Sequence, residues 1–198
     1  MNHMINVCLE IAVDEFAALV DNGARSRDLL EQGRDTEISL ALGVRRYKNW
    51  TLRDANLINK SYPDLTIICA AKPNESTESV IKRVEIKLRA LGEQWRQVYT
   101  HWDAQHRSSK ARRSAPVLPT LFAFVVKYSI VQLMSLDVNQ LNAPPRVLEM
   151  LNHQLEGRDV WQAFAISIVC IFARNFLLEI ESKGMFEALH QSIEDHDE

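Results

Sequence analysis

Cysteine, glycine and proline are all scarce here: three, six and six in 198 residues. The cysteines (Cys8, Cys69, Cys170) stand far apart in apolar surroundings, which excludes a disulfide framework and a zinc cluster and suits reduced core residues of an intracellular protein. Internal repeats and low-complexity segments are missing too. No glycine-rich dinucleotide or nucleoside-triphosphate motif and no GxSxG elbow is present, so those enzyme classes have no support. The six histidines show no metal-ligand spacing, and His153 is expected at the surface. The first residues, MNHMINVCLEIAVDEF, lack a basic leader and carry acids early, unlike a secretory signal. The longest apolar run, Val160 to Ala173, contains Gln162 and is short for a bilayer. A soluble protein of the cytoplasm or nucleus is expected, with no membrane partner and one domain over 1–198.

What is present is ordinary in amount and uneven in placement. The net charge is −3, yet 82–113 holds nine Lys and Arg against three acids. From Glu179 onward seven acids stand against Lys183 alone. A local basic surface can bind an anionic polymer without the whole chain being basic. Two solvated charge runs are the plain alternative.

Helical spacing of apolar residues marks 5–20, with Asp21-Asn22-Gly23 as a stop, giving an N-terminal helix within 1–26. A second helical stretch runs from about Arg27 to Val44, broken near Gly33. Tyr62-Pro63 favours extended chain before a strand from Asp64 to Ala71. Lys72-Pro73-Asn74-Glu75-Ser76 is turn chemistry, and Ser79 to Leu88 reads as a second strand. An amphipathic helix follows from Leu88 to about His106, with Leu88, Leu91, Trp95, Val98, Tyr99 and Trp102 on one stripe. Residues 105–114 are polar and basic and read as a mobile loop. Leu121 to Asp137 is strand-forming, as one long strand or a hairpin bent near Lys127-Tyr128-Ser129. Helices are expected from Pro144 to about Glu156 and from Asp159 to about Glu181, the latter buried because it is apolar nearly all round. A core over 27–182 and an acidic tail over 183–198 complete an α/β (α+β) chain with a small central mixed sheet flanked by helices.

Pairing the two strands around the Asn74–Glu75 turn sets Asp64 opposite Glu85, and Lys87 on the same face. Opposed carboxylates repel. A hard divalent cation between them reverses the sign, since Mg²⁺ favours one or two carboxylates plus water and phosphate oxygens. The neighbouring ammonium would orient or deprotonate a water, or neutralise charge in the transition state of phosphodiester hydrolysis. A solvated hairpin end is the simpler reading of the same residues.

Pro63-Asp64, then Glu85-Ile86-Lys87, then an amphipathic helix, resembles the PD-(D/E)xK motif of the restriction-endonuclease-like nucleases. The stretch Asp159-Val160-Trp161-Gln162-Ala163-Phe164 with its following helix is similar to compact fungal domains of that superfamily. The resemblance covers most of the chain. It implies an αβββαβ core with helical additions, Asp64 and Glu85 as ligands of Mg²⁺ or Mn²⁺, and Lys87 as the catalytic lysine. It further implies a helix-borne acid, for which Glu37 is the first candidate and Glu31 the second. A glutamine on the helix after the lysine is also implied, and Gln94 is placed to reach the sheet end.

Arg89, Arg107, Lys110, Arg112 and Arg113 are the candidates for contacts to nucleic-acid phosphates, which carry affinity without sequence readout. A solvated loop or localisation signal explains the basic run equally. The tryptophans are expected in the core. The leading expectation is therefore a divalent-metal-dependent nuclease acting on DNA. A homodimer is possible, since a two-fold pair would let a small nuclease cut both strands. The alternative is a catalytically inactive protein of that fold, binding nucleic acid or a protein partner.

Overall fold

Through 80–102 the apolar side chains recur at helical intervals: Val80, Val84, Leu88, Trp95, Val98 and Trp102 are all buried. Such a stripe buries itself only if the backbone has 3.6 residues per turn. The Ser76 hydroxyl starts the helix by accepting the Ser79 N–H at 3.1 Å. In the computed structural model, which describes residues 2–105 and 117–185 (backbone alone at 2–10 and 105), one helix spans Thr77–Gln105. The strand expected over Ser79 to Leu88 is therefore the first part of a helix. The reason is visible at Ile86, which a strand would have buried with Val84 and which lies 61% exposed.

The elements run α1 (Asn2–Glu31), α2 (Glu37–Asp54), β1 (Thr66–Ala70), α3 (Thr77–Gln105), β2 (Thr120–Lys127), β3 (Ile130–Asp137), β4 (Arg146–Asn152) and α4 (Asp159–Ser182). A short 3-10 turn at Val138–Gln140 follows β3. The expected hairpin is replaced by a crossover: β1 pairs in parallel with β2, from Thr66 opposite Phe122 to Ala70 opposite Val126. Parallel neighbours need a long return, and α3 supplies it. One strand thus precedes the long helix and three follow it, so the elements do not spell αβββαβ. The α/β class and the small mixed sheet flanked by helices are as expected, in the order β1-β2-β3-β4. The stretch 121–137 is a hairpin, turning at Tyr128 with φ of 52°.

Alternation along β2 divides the core. Leu121, Ala123 and Val125 pack with the α3 stripe. Phe122, Phe124 and Val126 face the other way, against Leu19 of α1, Leu40, Val44 and Tyr47 of α2, and Ala163, Ile166 and Cys170 of α4. Helices therefore cover both faces. The later residues Ala173, Leu177 and Ile180 of α4 join the α3-side core. Cys69 and Cys170 are free and buried, as expected.

Three further expectations change. Helix α1 does not stop at Asp21-Asn22-Gly23 but continues to Glu31. Gly23 lies inside it, where α1 meets the start of α4: a Cβ there would come within 2.7 Å of His153 Nδ1 and 2.9 Å of Asp159 Oδ1. The predicted break near Gly33 is where α1 ends, with Gly33 at a φ of 68°. The helix expected from Pro144 is instead strand β4, because β3 offers an open edge and pairing outweighs local propensity. Finally, α4 continues past the 160–173 run, and by length and composition alone it is long and apolar enough to cross a membrane. Nor is it buried all round, since Trp161, Phe164, Ile168 and Phe172 are exposed. The basic positions Arg107, Lys110, Arg112 and Arg113, and residues 186–198 of the acidic tail, lie outside the described residues.

His153 closes the junction of α1, β4 and α4. It is buried rather than exposed, its backbone N–H bonds Ser129 O at 2.9 Å, and its carbonyl accepts from Arg27 Nη1 at 3.0 Å. Arg27 also grips Asp159 with two 2.7 Å hydrogen bonds. Burial pulls the imidazole from 6.5 down to about 4; Asp159 opposes that shift and Arg27 adds to it. Below the unfolded pKa the unfolded chain takes up a proton that the folded chain refuses. Stability should therefore fall as pH drops from 6.5 to 4, by up to about 3 kcal/mol. Melting temperatures across that window should show the decline in the wild type and a flatter profile in His153→Leu. An unchanged slope in the variant would remove His153 as its source.

Candidate functional site

Strand β1 has a neighbouring strand on one side only, so its other edge is open to side chains. A cavity of 570 Å³ follows that edge. Its floor is Asp64 with Thr66, Ile67 and Ile68, and its walls are Arg45, Lys48 and Asn49 of α2 and Lys87, Ala90, Leu91 and Gln94 of α3. Each wall follows from helical spacing. Positions 45, 48 and 49 lie on one side of α2, and 87, 90, 91 and 94 on one side of α3, being three, four and seven residues apart.

Three of the expected residues, Asp64, Lys87 and Gln94, thus line one cavity. Glu85 does not. On a strand it would share a face with Lys87, but on a helix two residues are about 200° apart, so the two side chains diverge. Glu85 instead shares a helix face with Arg89, four residues on, and neither lines the cavity. Glu37 is elsewhere as well. Its carboxylate accepts the Tyr128 N–H at 2.8 Å, and it lines a separate 510 Å³ cavity with Ala71, Lys72, Glu75 and Lys127. That cavity is at the far end of β1, roughly 20 Å along the strand from Asp64. Glu31 ends α1, exposed, and lines neither cavity.

Asp64 is held from several sides. The buried Trp95 indole N–H donates to its carbonyl at 2.9 Å, fixing the backbone where β1 begins. One carboxylate oxygen accepts the Leu65 N–H at 3.0 Å, and the other is ion-paired with Lys48 Nζ. The Lys48 ammonium also reaches Thr66 O at 3.5 Å. Among the described residues Asp64 is the single carboxylate lining the cavity. Among the described residues no group of three or more His, Cys, Asp and Glu is gathered as a ligand set. The site assigned to Mg²⁺ through Asp64, Glu85 and Glu37 therefore does not fit the residues the fold brings together.

The far end of β1 is a structural joint. Arg83 of α3 donates to Glu75 at 2.7 and 3.1 Å, to Ala70 O at 3.0 Å and to Cys69 Sγ at 2.6 Å. The Arg83 hydrogen bond, helped by the Lys72 N–H, holds the Glu75 carboxyl down to about 2. Lys127 binds Glu75 O at 2.8 Å, tying the same loop to β2.

The cavity carries three cations against one anion. Lys48 is spent on Asp64, while Arg45 and Lys87 make no ion pair among the described residues. Asn49 and Gln94 add amide donors and acceptors. An anionic, extended ligand is what such a lining suits. Sequence reasoning missed Arg45, Lys48 and Trp95. The run Arg45-Arg46-Tyr47-Lys48 was a signal for the first two, because a helix sets positions 45 and 48 side by side. No family model, no curated protein and no solved structure matches this chain.

Trp95→Phe should lose the indole hydrogen bond, orphan the Asp64 carbonyl and leave a gap, at a cost of about 2–3 kcal/mol in urea unfolding. A change below about 0.5 kcal/mol, the usual range for surface substitutions, would show that Trp95 does not anchor this end of β1.

Proposed function

We propose that the protein is a non-catalytic binding module that holds the phosphate backbone of a nucleic acid along the open edge of β1. The observation that carries this reading is the divergence of Glu85 from Lys87 on α3 while Asp64 is occupied by Lys48. That arrangement removes the second carboxylate from the cavity and leaves Arg45 and Lys87 as uncompensated cations. Guanidinium and ammonium groups position phosphates without reading bases, so binding should be tolerant of sequence and sensitive to salt.

The test is fluorescence anisotropy with labelled DNA and RNA, in single- and double-stranded form, over a salt series. Arg45→Gln and Lys87→Gln should each weaken binding to every sequence alike. Each should also lower the slope of log affinity against log salt by about 1, as expected when one phosphate is no longer neutralised. Glu85→Gln should leave binding unchanged. The same samples incubated with Mg²⁺ or Mn²⁺ should show intact nucleic acid. Cleavage that disappears in Asp64→Asn would restore the nuclease reading. Absence of binding at low salt would remove nucleic acid as the ligand.

A further inference from the structure

The first half of α4 carries its polarity inverted. From Val160 to Ala173 it contains no charged residue. Its polar side chains Gln162 and Ser167 point inward, 5% and 4% exposed, with Gln162 Nε2 donating to Asn152 O at 2.7 Å. Its large apolar ones point out: Trp161 is 74% exposed, Phe164 46%, Ile168 65% and Phe172 53%. Spacings of three, four and four place these along one helix face. An uncharged aromatic stripe of this kind on a folded chain marks an interface.

We infer that this stripe is the contact between two copies of the chain, with α4 packed antiparallel on itself about a two-fold axis near residue 166. The pattern reads nearly the same in both directions. Reversed about that point, Trp161 meets Phe172 of the partner subunit and Phe164 meets Ile168 of the partner subunit, so the surface is self-complementary, as a two-fold contact requires. No charge interrupts the stripe to oppose the pairing. The exposed parts of Val160, Trp161, Phe164, Ile168 and Phe172 come to about 550 Å² per copy, taking aromatic side chains at 150–250 Å². That is about two thirds of one side of a standard interface. Val13 of α1 extends it: it is exposed and lies one turn before Phe16, whose ring contacts Phe164 at 4.7 Å. Insertion of α4 across a bilayer is disfavoured because the helix is fastened to the rest of the fold near both ends. Asp159 is bound to Arg27, Arg174 to Asp54 and Glu181 to Lys60.

Light scattering behind gel filtration, at micromolar protein, should give twice the chain mass for the wild type. Ile168→Glu, at an exposed site, should keep the circular dichroism spectrum and raise the dimer dissociation constant at least about 100-fold, since a charge would be buried unpaired. Mixed Trp161→Cys and Phe172→Cys proteins should form a disulfide between unlike chains in preference to like ones, which reads the register without depending on the Glu variant's folding. A monomeric wild type, an Ile168→Glu protein that dimerises as well as the wild type, or random cross-linking would each overturn the proposal. Wild-type monomer that co-floats with phosphatidylcholine vesicles would assign the stripe to a membrane surface instead.

Discussion

The parallel pairing of β1 with β2 is the constraint on which the rest of the molecule depends. Two strands that run the same way side by side must be joined by a chain that travels back the length of the sheet. That demand turns 77–105 into a helix, and the buried run from Val80 to Trp102 gives the helix its contact with the sheet. At 1.5 Å per residue α3 is about 43 Å long, well beyond the reach of an eight-residue strand. Its later turns therefore pack past the sheet, where Trp95 meets Phe176 of α4 edge-on at 6.4 Å. The crossover is sealed at its start by Arg83, which ties α3 to Ala70, Cys69 and Glu75.

From the same constraint follows the chemistry of the cleft. Once residues 85 and 87 are on a helix, whatever faces Asp64 must recur at three- and four-residue intervals, so Lys87, Leu91 and Gln94 do and Glu85 does not. The antiparallel alternative would have left β1 with a different neighbour and no open edge between α2 and α3. Asp64 then takes its partner from α2, and the Lys48 ion pair, with side chains 14% and 46% exposed, acts chiefly to fix geometry. Ion pairs this close to solvent contribute little net stability.

Much of this was legible in the sequence, and the part that was not has a common cause. The helix at 159–182 and the break near Gly33 announce themselves by period or by turn residues; the helical pattern after that break is legible only to about Val44, ten residues short of the end of α2, and 121–137 reads as strand without deciding between one strand and a hairpin. The errors arose where an apolar pattern satisfied two periods at once. Val80, Val84, Ile86 and Leu88 alternate plausibly, with Lys82 the exception, and only the continuation to Leu91, Trp95, Val98 and Trp102 decides for the helix. At 146–152 the reverse occurred: Val147, Leu148, Met150 and Leu151 follow Pro144-Pro145 as a helix would, and pairing with β3 decides for the strand. Gly23 misled because a stop signal and a close-packing device use the same residue. Its role requires His153 and Asp159, which are more than a hundred positions away. The cleft suffered likewise, since Lys48 and Asp64 meet only through tertiary structure.

Helix α4 shows how composition and environment part company. Its apolar run is what a membrane-crossing segment would have, yet Gln162 and Ser167 occupy the side that faces the protein. In a bilayer that would leave the aromatic side facing lipid and the polar side facing whatever helices packed against it. In this fold α1 and α2 take that place, and the Gln162 amide finds the Asn152 carbonyl at the end of β4. Phe16 and Phe122 shield only part of the outer face through Phe164 and Phe172. The helix is therefore specified on its inner side by this chain and on its outer side by something apolar. The spacing of Trp161, Phe164, Ile168 and Phe172 is complementary to itself.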